Sequence, residues 1–153
     1  MDKQPVYSEK DIQIVANAVT CIRERPEMFV GSDPTGARLA ARVVEYLLLL
    51  DSGPVQIARN GSWYLISAAR DWLMSEDGIV SFESFHRLVP MPSGGMFHDR
   101  AEVFLTALAD VVVTSGIDGT TWISGEPGNW KLPGDVSLPP QNGRVVAFHF
   151  EKA

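Results

Sequence analysis

An amphipathic run that ends on a proline constrains this chain more than any other stretch. Ile12, Val15, Ala16, Val19 and Ile22 recur at helical spacing and make one apolar face. Ser8 stands ahead of them as a cap, with Asp11 three residues on. Pro26 closes the run, because its ring cannot follow a helical turn and it has no N–H to donate. The pattern predicts a loose tail over 1–6 and a helix over 8–25 whose apolar face packs on a core. Gly31 then permits a sharp turn. Cys21 lies inside the run and is expected to be a buried, unreactive thiol.

A second helix is predicted over 35–50, apolar on most of its circumference, with Asp51-Ser52-Gly53-Pro54 as its stop. Residues 55–59 and 62–67 read as strands joined at Asn60-Gly61, a strong hairpin signal. Phe82, Phe85 and Leu88 suggest a short helix within 80–89. A third main helix is expected over 99–109, with Ala101, Phe104, Leu105 and Leu108 inward. Residues 111–114, 120–124 and 144–150 read as strands, the first two joined by a turn at Gly116-Ile117-Asp118-Gly119. The Gly/Pro-rich stretch 125–142 is a long connection with room for an edge segment at Trp130 to Leu132. This order predicts one α+β domain over 1–153, a two-layer α/β sandwich with a mixed, mostly antiparallel sheet under helices.

Charge narrows the functions. A net charge of −6 and no basic run argue against a nucleic-acid surface. The longest apolar stretch, Val43 to Leu50, is too short to span a bilayer, so no membrane role is expected. Cys21 is the only cysteine and no secretory leader is visible, which points to the cytoplasm. His86, His98 and His149 lack metal-ligand spacing, so no metal is expected. No serine stands in a nucleophile-elbow context. Four tryptophans read either as core and sheet-face packing or as an exposed binding face.

Residue identities around the proline add a further reading. Arg23-Glu24-Arg25-Pro26-Glu27-Met28-Phe29-Val30-Gly31-Ser32 resembles the opening of gyrase B and ParE, ATPases of the GHKL (Bergerat-fold) class. Tyr7, Ile12, Val15, Val19 and Ile22 also match that family's leading tyrosine and apolar positions. The resemblance is specific over 7–32 and weaker elsewhere; it implies the GHKL sandwich and a nucleotide site between helices and sheet. The family's second domain, with its phosphate-contacting lysine, has no counterpart here.

The family's catalytic E-x-x-D-N motif lies on the second helix. Counted without gaps its three functional positions become Val43, Tyr46 and Leu47; slid by two they become Glu45, Leu48 and Leu49. Neither register supplies the magnesium-holding asparagine, and leucine offers no oxygen to a hard cation. Glu45 is a vestigial general base or a solvated helix residue. In the D-D-G-R-G segment the adenine-binding aspartate becomes Ala68, the two glycines become Ala69 and Asp71, and only Arg70 keeps its place. Gly94-Gly95 stands where the family begins its ATP lid, and the lid is deleted. In the closing strand the threonine that supports the adenine aspartate becomes Arg144.

These departures imply a pseudo-ATPase: a non-catalytic binding or regulatory module with no cofactor, weak or absent nucleotide binding and a dismantled site plugged by Leu47, Leu48, Ala68 and Arg144. The alternatives are a residual ATPase using Glu45 and Arg70, or a gyrase-like module that binds another protein. Trp72, Leu73 and Met74, with Met91, Met96 and Phe97, are the candidate contact face for a protein partner or a second copy.

Overall fold

The computed structural model describes residues 17–89, 100–137 and 143–151. Helix α1 spans Ala18–Glu24, capped by Asn17, whose side chain accepts from the Thr20 N–H. Pro26 turns the chain into a short 3-10 turn, Pro26–Met28. Ala18 and Ile22 face inward, four residues apart, which leaves Cys21 exposed rather than buried as expected. The single helix expected over 8–25 is interrupted at Asn17, whose non-helical backbone and side-chain cap start α1 afresh; residues 8–16 lie outside the described residues.

Helix α2 spans Gly36–Leu49, and its Thr35 cap accepts from the Arg38 N–H. Its buried stripe, Leu39, Ala40, Val43, Tyr46 and Leu47, lies on the sheet. Full burial stabilises by about 1.5–3 kcal/mol for each leucine or valine. Strands β1 (Val55–Asn60) and β2 (Trp63–Ala68) form the expected hairpin. No regular helix forms in 80–89, only a 3-10 turn at Glu83–Phe85. The N–H donors there are met by turn acceptors: Ser81 donates to the Leu73 carbonyl and Glu83 to the Ser81 hydroxyl. Phe85 still reaches the core.

Helix α3 spans Glu102–Leu108, followed by β3 (Val111–Gly116), β4 (Gly119–Ser124) and β5 (Arg144–His149). The sheet runs β1-β2-β5-β3-β4, with every described pairing antiparallel rather than mixed. Two hairpins supply the outer pairs, and β5 enters between them antiparallel to both neighbours. Tyr64, Ile66, Val112, Val146 and Phe148 meet the helices in the main core.

The opposite face is also covered. Trp63, Leu65, Val111, Val113 and Ala147 pack with Val136, Trp122, Trp130 and Leu132. Residues 130–132 form no strand; 3-10 turns at Pro127–Asn129 and Gly134–Ser137 carry the segment across the sheet, with Trp130 edge-on to Trp63. Among the described residues no helix is long and apolar enough to cross a membrane.

Candidate functional site

Helix α2 turns Val43, Tyr46 and Leu47 inward and leaves Glu45 exposed. Leu48 and Leu49 are 66% and 55% exposed, so Leu48 does not plug an interior site as expected. Four successive leucines cover every side of a helix, so the stripe is set by Leu39, Ala40 and Val43 a turn earlier.

Ala68 and Arg144, far apart in sequence, are cross-strand partners on β2 and β5. Arg144 is 0% exposed. Its Nε donates to Asp71 Oδ1 at 2.9 Å and its Nη2 to Asp71 Oδ2 at 2.8 Å, a two-pronged pair. Nη2 also reaches Asp118 Oδ1 at 2.6 Å, and Nη1 the Thr114 hydroxyl at 3.3 Å. The guanidinium lies 5.9 Å from the Phe82 ring centre. A Cβ on Gly116 would stand 2.6 Å from Nη2, so the bare glycine leaves room for the arginine. Burial alone would lower the Arg144 pKa; hydrogen bonds and charge from Asp71, then Asp118, outweigh it and raise it. The cation is permanent and already paired, so it offers nothing to an incoming phosphate.

A second polar cluster lies between α2, α3 and the chain after β2. Glu102, in the first turn of α3, is 0% exposed. Its Oε1 accepts from the Trp72 indole at 3.0 Å and from Arg100 at 3.1 Å. Arg100 also donates to the Trp72 carbonyl and lies over the Tyr46 ring. The Tyr46 hydroxyl, Glu102 Oε2 and Arg100 Nε have no hydrogen-bond partner. Burial, then the Glu102 charge, holds the Tyr46 phenol well above its ordinary pKa of about 10.

Trp72 and Leu73 are buried, and Met74 half-buried, so they do not form an exposed contact face. Ala69 and Arg70 are exposed at the end of the hairpin. Gly94, Gly95, Met91, Met96 and Phe97 lie outside the described residues. An open groove of about 510 Å³ lies at the far end of the β2–β5 ladder, beside Asp33, Thr35, Arg59, Tyr64 and Glu151. None of the positions implied by the resemblance lines it. Among the described residues no group of three His, Cys, Asp or Glu side chains could hold a metal ion.

Sequence reasoning singled out Ala68 and Arg144 but missed Glu102, Arg100 and Asp118 as partners, and took Asp71 only as a lost glycine. Their pairings join segments up to 73 residues apart and leave no periodic trace. The one available signal was a lone arginine in an otherwise apolar strand, which needs a carboxylate if that strand is central. Chemically, both clusters neutralise charge internally. Neither presents an activated nucleophile or a free acid–base pair. No protein-family model matches the chain, and no curated protein matches it.

Proposed function

We propose that the chain is a non-catalytic module on a GHKL-type scaffold, with the nucleotide site of the gyrase B class converted into structural core, and that it acts by binding or regulating another protein. The observation that carries this reading is Arg144 lying opposite Ala68 and clasped by Asp71. The resemblance puts the adenine aspartate and its threonine partner at Ala68 and Arg144. In their place stand a methyl group, which accepts no hydrogen bond, and a buried ion pair that fills the space. Five strands with β5 inserted between two hairpins, and helices on one face, are compatible with the scaffold.

The phosphate side supports the same reading. At the ungapped positions of the catalytic motif α2 turns Val43, Tyr46 and Leu47 inward, none of them a carboxylate or amide that could hold magnesium. The exposed Glu45 is not set against either buried cluster. An assay of magnesium-dependent ATP turnover tests the proposal. No phosphate release above the protein-free blank is expected. Turnover that Glu45→Gln abolishes would overturn it in favour of an ATPase.

A further inference from the structure

The two edges of the sheet are built differently. On β4 the pairing with β3 shifts register between Val112 and Val113. Edge β1 has an unbroken register, from Val55 opposite Ala68 to Asn60 opposite Trp63, and no proline. Bulges, prolines and outward charges are the usual means of blocking strand addition, and β1 lacks the first two. Its single charge, Arg59, is drawn back: Nε donates to the Gly61 carbonyl, and the guanidinium lies 5.0 Å from the Tyr64 ring centre.

The hydrogen-bond phase of β1 follows from one contact. Ala69 N–H donates to the Pro54 carbonyl at 3.1 Å, so position 54 faces β2. By antiparallel alternation 56, 58 and 60 also face β2, while the N–H and C=O groups of Val55, Ile57 and Arg59 point away from the sheet. Among the described residues no backbone hydrogen bond engages those outward groups. Three outward-facing residues at equal spacing have Ile57 at their centre.

We propose that this edge pairs with a second copy of the chain, two β1 strands lying antiparallel about a two-fold axis at Ile57. Ile57 faces Ile57 of the copy, and Val55 faces Arg59 in both directions, each pair exchanging both of its bonds. The register matches every outward donor with an outward acceptor. It opposes no like charges, because four residues separate the two Arg59 positions along the strands. Ile57, opposite Ile66 on the helix-bearing face and 55% exposed, supplies the apolar contact at the axis. The two five-stranded sheets become one continuous antiparallel sheet.

Light scattering of the full chain across a concentration series tests the pairing. The mass should rise from 16.8 kDa toward twice that value. Ile57→Pro removes only an outward N–H, which an edge strand tolerates; Ile57→Lys opposes two like charges at the axis. Both should remain at the monomer mass with unchanged circular dichroism. In a Cys21→Ser background, Ile57→Cys should give a covalent dimer with a short bismaleimide, since facing Cα atoms would lie about 5.5 Å apart. A monomer at every concentration overturns the proposal. So does a dimer that Ile57→Pro leaves intact, or one in which position 57 fails to cross-link.

Discussion

Arg144 carries a full charge on a central strand, and the energetic consequences concentrate in its partners. Removing one side of such a pair leaves the other charged and dry, which costs about 3–5 kcal/mol. Arg144→Met and Asp71→Leu should each lower the unfolding free energy by about that much in urea titrations. The double variant should lose less than the two singles summed, because the only charge then left without its partner is Asp118, which is partly open to water. Tyr46 behaves differently. Its buried hydroxyl faces Glu102 and Arg100 but makes no well-formed hydrogen bond, so Tyr46→Phe at neutral pH should change stability by no more than about 1 kcal/mol. Its folded-state pKa is raised, so the unfolded phenol ionises first. Ionisation of this group leaves stability unchanged below about pH 10 and lowers it as pH rises above that value. Urea titrations on both sides of pH 10 should therefore show a shallower alkaline loss in Tyr46→Phe than in the parent. Ala68 and Arg144 were singled out in the sequence only through the resemblance. The carboxylate that answers Arg144 was not, because pairing across 73 residues leaves no local pattern.

At the scale of elements, α2 was legible nearly to its ends, since Thr35 and the Asp51–Pro54 stop are local signals. Thr35→Ala should cost about 1 kcal/mol by leaving the Arg38 N–H without its side-chain acceptor. Gly36→Ala sets two effects against each other. Alanine favours a helix by about 1 kcal/mol, but its Cβ would press into the Tyr64 ring, itself stacked on Phe148. Overpacking of about 1–3 kcal/mol outweighs the propensity, so thermal melting should show Gly36→Ala less stable than the parent. The orientation of Leu48 and Leu49 was not legible, because a run of leucines has no polar member to mark the solvent side. The expected helix in 80–89 failed for another reason. Its aromatic spacing was real, but the backbone there bonds to the Leu73 carbonyl and the Ser81 hydroxyl in place of helical acceptors.

At the scale of the molecule, strand content and class followed from alternation and turn chemistry, while the insertion of β5 between two hairpins is a long-range choice that no local pattern encodes. That choice brings Ala68 against Arg144. The central proposal is that the region around Arg144 is packed core and does not receive nucleotide. Isothermal titration calorimetry with a non-hydrolysable ATP analogue and magnesium tests it most directly. The account predicts no saturable heat, with any dissociation constant weaker than about 1 mM, above −4.1 kcal/mol on the standard scale. A saturating isotherm with a micromolar dissociation constant would contradict it.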